Sequence, residues 1–491
     1  MRLKIKKLEF SAGRPIAMLN QQVAENLNIH VDERVVISHN SKKVIAVIDV
    51  SKNFIKNSEI AASSEVLETL NIQEGVSVDV DPAPKPESIA IIKKKLDGKV
   101  LEKKEINLLI KDIVDNALTE AEIAYFVSSV YKCGMNMQET FDLTDAIYKS
   151  GKKLELKGKV VDKHSIGGIP GNRTTPIVTS ICASSGLIMP KTSSRAITTS
   201  AGTADTMETI CKVDFTIPEI KKIIEKTQAC LVWGGSLGLA PADDKIIQVE
   251  RLLNVDPEAQ LLASIISKKL ASGAKYILID IPYGKTAKVN KEQAEDLKKK
   301  FEYLGKSFNL KMKVILTPGN EPIGNGIGPS LEMNDIISVL NQDENRPLDL
   351  EEKSLYLASI ILELSGKAEK GKGIILAREI LKSGKAFLKF KEIIEAQSGK
   401  IRKLEPAKLR KDIKAESDCI ILEIDNKKIN YLARLCGAPV DKSAGLYLWK
   451  HTREKINKGE NILSLYSDSE DKLKQALEFY RDNQIIKTKG L

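Results

Sequence analysis

Residues 162–175 read DKHSIGGIPGNRTT, which reads as a loop that gathers a cation, several hydroxyls and three glycines. Lys163 brings a formal positive charge, and Ser165, Thr174 and Thr175 bring hydroxyl donors. Gly167, Gly168 and Gly171 let backbone N–H groups turn inward without a Cβ in the way. The run TTPIVTSICASSG that follows predicts a helix, whose unpaired N–H groups and positive dipole end favour an anion. Together these groups suit a phosphate oxyanion. A second run of the same character, SSRAITTSAGTAD (193–205), comes about one strand–helix unit later. The chain is therefore expected to carry two phosphate cradles in one domain.

Other chemistries find less support. A Gly-x4-Gly-Lys-Ser/Thr loop is absent, and the glycine run lacks the spacing and downstream acid of a dinucleotide fingerprint. Four histidines (His30, His39, His164, His451) and no His-Glu-x-x-His speak against a hydrolytic zinc site. Only His164, inside the first cradle, is placed for function. The six cysteines are scattered, with no Cys-x-x-Cys pair, so neither structural zinc nor a disulfide framework is expected. Cys230, in ACLVW, reads as a small buried apolar group. Asp243 and Asp244 would suit Mg²⁺, but an acid-rich helix start explains them equally well, and no metal is expected.

The elements that position the cradles follow from pattern. At 491 residues the chain should split into several domains. Within 1–84, AENLNIHVDERVVIS and LETLNIQEGVSVDV share the triplet Leu-Asn-Ile, and Leu27/Leu70, Ile29/Ile72, Val35/Val78 and Ile37/Val80 fit one offset. This predicts a duplicated ββαβ-like unit whose halves interlock into a small barrel, structural or assembly-directing in role. The proline-rich DPAPKPES is a linker. Residues 85–155 have helical spacing and a Thr-x-x-Glu start, which predicts a helical lobe joined in space by about 240–275. Residues 156–239 and 276–410 alternate strand and helix, which predicts a mainly parallel α/β lobe with ligand loops at the strand C-terminal ends. Between these two segments, 243–273 reads as a helical stretch. Residues 411–491 form a smaller α+β unit.

The formal charge of +10 is spread over lysines interleaved with glutamates, and aromatics are 5% of residues, so no nucleic-acid partner is expected. No run long enough to span a membrane occurs, and the N-terminus lacks the apolar core of a signal peptide, so a cytoplasmic protein without a membrane partner is expected.

DKHSIGG, followed by Ser-x-Arg-x6-Gly-Thr-x-Asp and later ASIISKKLASG (263–273), resembles the class II nucleoside phosphorylases, from about residue 87 to the C-terminus. The added barrel resembles the archaeal branch that acts on nucleoside monophosphates, the AMP phosphorylases. The resemblance implies phosphorolysis of AMP by inorganic phosphate to adenine and ribose 1,5-bisphosphate, CMP and UMP being further candidates. No cofactor is implied, inorganic phosphate being a co-substrate. It also implies a helical lobe facing an α/β lobe, and a homodimer that assembles into a larger homo-oligomer. By the same resemblance, Lys163, Ser165, Ser193 and Thr203 hold phosphate. Gly168, Ser194, Arg195, Ala196, Ile197, Thr198, Thr199, Thr203, Ser264 and Lys288 contact AMP. Lys268 and His164 are candidates for the base, and Asp256 is the proton donor to adenine.

The residues also record departures. Ile166 replaces the usual threonine of DKHSTGG, Arg251 falls out of register with the arginine of thymidine phosphorylases, and Ala196 and Thr199 stand where the pyrimidine enzymes have Gly and His. Asp256-Pro257 is also a strong helix-start signature, and a capping carboxylate is held ionised, which opposes acid catalysis. The rival readings are a pyrimidine nucleoside phosphorylase, an anthranilate-type phosphoribosyltransferase and a non-enzymatic assembly protein.

Overall fold

The computed structural model describes residues 1–196, 199–235 and 237–490. Two compact units form, Met1–Gly151 with Ala240–Ser267, and Lys152–Leu239 with Lys268–Leu491.

The first unit opens with β1 (Arg2–Lys7), β2 (Ile16–Asn20), α1 (Gln21–Leu27), β3 (Arg34–His39), β4 (Lys42–Ser51), β5 (Glu59–Ala62), α2 (Ser64–Leu70) and β6 (Ser77–Pro82). These strands close a barrel in the order β1-β5-β2-β4-β3-β6. Alternation turns Leu3, Ile5, Leu19, Val35, Ile37, Ile48, Ile60, Val78 and Val80 inward as one apolar core. The repeated Leu-Asn-Ile triplet has a physical reason. Asn28 and Asn71 end α1 and α2 in the left-handed region, at φ 50° and 54°. The Ile29 and Ile72 N–H groups then reach back to Ala24 O and Leu67 O, at 2.9 and 3.1 Å.

Four helices follow, α3 (Ser88–Leu96), α4 (Lys103–Val114), α5 (Glu120–Cys133) and α6 (Met137–Ser150). Thr119 and Glu122 form the capping box of α5, and the Glu122 carboxylate also pairs with Arg34 of the barrel.

In the second unit β7 (Val161–Ser165), α7 (Thr174–Ser184), β8 (Met189–Ser193), α8 (Thr203–Met207), α9 (Ile217–Thr227) and β9 (Ala229–Trp233) alternate. The chain then supplies α10 (Pro241–Leu253) to the first unit, and α11 (Glu258–Ala271) begins there. The helical stretch expected over 243–273 is made of these two helices: Asn254 ends α10 at φ 52°, and Asp256-Pro257, the expected helix start, stands just before α11. The α/β alternation resumes with β10 (Tyr276–Tyr283), α12 (Lys291–Ser307) and β11 (Lys311–Pro318). Strands β11, β10 and β7 pair in parallel, β8 pairs in parallel with β9, and a parallel bridge between Val160 and Ile188 links the two sets.

Next come β12 (Gly326–Ile327), α13 (Pro329–Asn341), α14 (Leu348–Leu364), α15 (Gly373–Lys382) and α16 (Lys385–Ala396). Helices α7, α13, α14, α15 and α16 share one apolar core with the parallel strands. The chain ends with β13 (Leu409–Lys414), β14 (Cys419–Ile424), α17 (Asn426–Leu435), β15 (Gly445–Leu448), β16 (Lys455–Ile456), β17 (Asn461–Ser467), α18 (Glu470–Asp482) and β18 (Ile486–Gly490). Strand β12 completes the sheet β12-β15-β17-β13, so the terminal segment borrows residues 326–327 from the preceding lobe. No helix among the described residues is long and apolar enough to cross a membrane. Burial pushes the Cys230 thiol up to about 12, which leaves it an inert packing group.

Candidate active site

The Asp-Lys-His-Ser run is strand rather than loop, since β7 extends through Ser165 and the loop begins at Ile166. Strand periodicity therefore sends Asp162 and His164 to one face, Lys163 and Ser165 to the other. This separates His164 from the first cradle's cation. On its face, Asp162 accepts from Lys191 Nζ at 3.2 Å and pairs with Lys269 Nζ at 2.7 Å. Burial pushes the Asp162 carboxyl up, but Lys191 and Lys269 outweigh it and hold the group below its ordinary value. Burial, joined by Lys269 and Lys191, drives the His164 pKa well below the usual histidine range, so the ring is neutral at neutral pH.

Lys163 is 1% exposed, and its Nζ donates to Thr174 Oγ1 at 2.7 Å and Thr175 Oγ1 at 3.4 Å. Burial, with repulsion from Lys353, Lys191 and Arg173, lowers its pKa to about 7 against attraction from Asp280. The Ser165 hydroxyl is buried without a hydrogen-bond partner. A cation poised near its titration point beside an unsatisfied hydroxyl is suited to an incoming anion.

Arg173, just before α7, ties the two cradles together. Its Nη1 donates to Thr203 Oγ1 at 3.1 Å, its Nη2 to Ala201 O at 2.9 Å, and its Nε to buried Glu332 at 2.7 Å. Thr203 begins α8, and Ser193 ends β8 with its Oγ donating to Val232 O at 3.2 Å.

The second loop folds back on itself. Asp205 Oδ2 accepts from Ala196 N at 2.6 Å and Gly202 N at 2.9 Å. A Cβ on Gly202 would lie 2.6 Å from Ser194 O, so this return leaves room for glycine alone. Arg195 makes a two-pronged contact with Glu208 at 2.7 and 2.6 Å and stacks over Trp233, which holds Glu208 down to about 2. Thr199 Oγ1 donates to Ala201 O at 3.1 Å, and Ser200 donates to Asn430 of α17. Ile197 and Thr198 lie outside the described residues.

Gly168, at φ 92°, touches the Lys288 segment: a Cβ there would stand 2.8 Å from Lys288 N. The first loop and Lys288 are thereby brought together. Asp256 and Ser264 belong to the first unit, where Ser264 Oγ donates to Asp243 Oδ2 at 2.9 Å. Asp256 is exposed, two residues before α11, and Lys268 lies further along that helix.

Arg173, Lys191, Lys269, Asp280, Lys353 and Glu332 were not singled out from the sequence. The double lysine of ASIISKKLASG was the available signal for Lys269. The others stand in ordinary strand and helix text, and only the fold gathers them.

The domains of the chain match known proteins. Residues 89–151 match the model described as "Glycosyl transferase family, helical bundle domain", and 157–387 match "Glycosyl transferase family, a/b domain". Residues 420–487 match "Pyrimidine nucleoside phosphorylase C-terminal domain". A solved anthranilate phosphoribosyltransferase from Thermus thermophilus shares the fold, with TM-score 0.52 and 18% identity over 63% of this chain and 99% of that one. Bundle, α/β lobe and terminal domain together define a glycosyl transferase of the phosphorylase type. The chain is 42% identical to the AMP phosphorylases of Thermococcus kodakarensis and Pyrococcus furiosus, and 41% identical to that of Methanocaldococcus jannaschii, in each case over 100% of this chain and 98% of the relative. It belongs to the AMP phosphorylase family.

Proposed function

We infer that the chain catalyses phosphorolysis of AMP to adenine and ribose 1,5-bisphosphate. The observation that carries the reading is the meeting of two phosphate-type loops at Arg173, in a chain alike over its full length to AMP phosphorylases. An oxygen of inorganic phosphate attacks C1′ of the ribose, the C1′–N9 bond breaks, and its electron pair leaves with the adenine. The departing base takes a proton at N7. Positive charge develops on the ribose ring, so a held phosphate dianion is both nucleophile and counter-charge, and catalysis rests on positioning and electrostatics. Lys163, Ser165, Ser193 and Thr203 are assigned to the attacking phosphate. Gly168, 194–199, Thr203, Ser264 and Lys288 are assigned to AMP, Lys268 and His164 to the base, and Asp256 to proton delivery. Inorganic phosphate is the co-substrate, and neither cofactor nor metal is assigned a role.

Incubation with inorganic phosphate and AMP, CMP, UMP, adenosine or thymidine tests the reading by release of base and sugar phosphate. Release from AMP is expected, with CMP and UMP as further substrates. Release from thymidine but not from AMP overturns the reading. Asp256→Asn is expected to lower turnover about tenfold to ten-thousandfold with little change in AMP binding; unchanged turnover removes Asp256 from the mechanism. The barrel is assigned to assembly of homodimers into a larger homo-oligomer. Deleting residues 1–84 should lower the mass measured by light scattering, and an unchanged mass counts against that role.

A further inference from the structure

Beneath the proposed phosphate site lies an ion pair that the reaction scheme leaves unused. Asp280 is fully buried on β10, the strand between β7 and β11. It stands opposite Ser165, and Leu278, two residues earlier on the same strand, stands opposite Lys163. Parallel register therefore puts Lys163, Ser165 and Asp280 on one face of the sheet. Asp280 Oδ1 accepts from Thr317 Oγ1 of β11 at 2.6 Å, and Asp280 O accepts from Ile166 N, where the first loop begins, at 3.2 Å. Its other oxygen faces Lys353 Nζ of α14 at 3.3 Å, but the angle makes no hydrogen bond, and both atoms stay unsatisfied. One carboxylate thus serves two lysines from different elements, and the backbone carbonyl of the same residue anchors the root of the loop.

The balance of charge here is unusual for an interior. Lys163, Lys191, Lys269, Lys353 and Arg173 face Asp162, Asp280 and Glu332. Asp349 also acts on Lys353. Buried charge is costly unless it is paired, so a lysine held among other cations, as Lys163 is beside Lys353, Lys191 and Arg173, is arranged for an incoming anion such as phosphate. The groups acting on Lys163 are Asp280, which favours its charged form, and Lys353, Lys191 and Arg173, which oppose it.

We propose that Lys353 and Asp280 are a positioning pair of the phosphate site: Lys353 engages Asp280, divides the attraction that carboxylate exerts on Lys163, and so sets the pH range over which Lys163 binds phosphate. The proposal rests on the reading that Lys163 holds the attacking phosphate. As pH rises through neutrality, Lys163 loses its proton and the phosphate KM rises. Removing the Lys353 charge ends its repulsion of Lys163 and leaves Asp280 to Lys163 alone, which favours the charged lysine. Removing the Asp280 charge does the reverse.

The test is the phosphate KM of the full chain against pH, from below to above neutrality, with kcat measured alongside. Lys353→Met should move the alkaline rise in KM to higher pH by about one unit, and Asp280→Asn should move it to lower pH by about as much. Lys353→Arg, which keeps the charge, should return the rise toward its original position. Phosphate's own titration is common to every variant and drops out of the comparison. Shifts of opposite sign support the proposal. Coincident profiles in folded variants, or shifts of the same sign, overturn it. If Lys353→Met does not fold, Asp280→Asn decides by the sign of its shift. Lys163→Met separates the two layers: an unchanged phosphate KM there removes the underlying reading, whereas lost phosphate use there, with unmoved profiles elsewhere, removes this proposal alone.

Discussion

In the barrel, strands β1 to β6 turn Leu3, Ile5, Leu19, Val35, Ile37, Val78 and Val80 inward. Ser63 is the single polar side chain buried among the described residues up to Pro82. In the parallel sheet the same two-residue alternation buries Asp162, Lys163, Lys191 and Asp280. Both regions follow one backbone rule and fill it with opposite chemistry. Burying an ion costs several kcal/mol unless it is well paired, and the sheet is not evenly paired, whereas the barrel avoids the cost altogether. The difference separates the two tasks. The barrel's interior is apolar but for Ser63, whereas the sheet buries charged groups at and near its strand ends.

The sharpest way to break this contrast is at Lys163. Lys163→Met should lower phosphorolysis by about 10²- to 10³-fold, the usual loss for one donor to developing charge. Its effect on stability has a definite sign. The folded lysine titrates at about 7 against an ordinary 10.5, so between those values the unfolded chain binds more protons than the folded one. The stability of the unsubstituted chain should therefore climb with pH across that window. The variant should lack the climb and hold its advantage at the acid end. Melting curves at several pH values check this; a variant that is inactive and also less stable at every pH would make Lys163 structural. A smaller effect is expected at Arg173. Arg173→Met removes charge-assisted hydrogen bonds to Thr203 and Ala201, each worth about 1.5–3 kcal/mol, and should raise the AMP KM about tenfold to a hundredfold with less change in kcat. An unchanged KM would show that the second loop holds its shape without the first.

How far the sequence revealed this contrast depends on how local each signal was. The helical lobe and the α/β lobe were legible because helical spacing and strand–helix alternation repeat over tens of residues. The two loops were legible because each packs hydroxyls, glycines and a cation into one short run. What was lost at Lys163 was its secondary structure: the glycines drew the whole run into a loop, although VVDKHS is good strand text, and that hid the opposite facing of Lys163 and His164. Arg173 sat inside the quoted motif, yet its partners Thr203, Ala201 and Glu332 lie 28 to 159 residues away. Asp280 and Lys353 were silent because an aspartate in an apolar strand and a lysine in an amphipathic helix have ordinary local readings. Parallel register brings Asp280 beside the first loop, and the packing of α14 brings Lys353 to Asp280.

The smallest effect belongs to the barrel, where the sequence repeat offers a control. Its halves correspond at one offset, so Leu3 answers Ala46, Ala17 answers Ile60, and Leu19 answers Ala62, each pair buried and each joining a large residue to a small one. The interior volume is thus shared unequally between halves that have the same backbone plan. Leu19 stands opposite Ile60 and Ala17 opposite Ala62 on the paired strands β2 and β5, so Leu19 and Ala62 line one patch of the core. Leu19→Ala should cost about 2–5 kcal/mol by opening a cavity there. Ala62→Leu should cost about 1–3 kcal/mol by overpacking. The double variant Leu19→Ala/Ala62→Leu conserves volume within that patch, so its loss should be less than the sum of the two single losses. Throughout the series kcat should stay at the value of the unsubstituted chain, because the residues exchanged are apolar on both sides. Thermal or denaturant unfolding, read beside the AMP assay, checks both parts. Additive losses would mean that the two halves pack independently, and a fall in kcat with the fold intact would mean that the barrel's interior is coupled to catalysis after all.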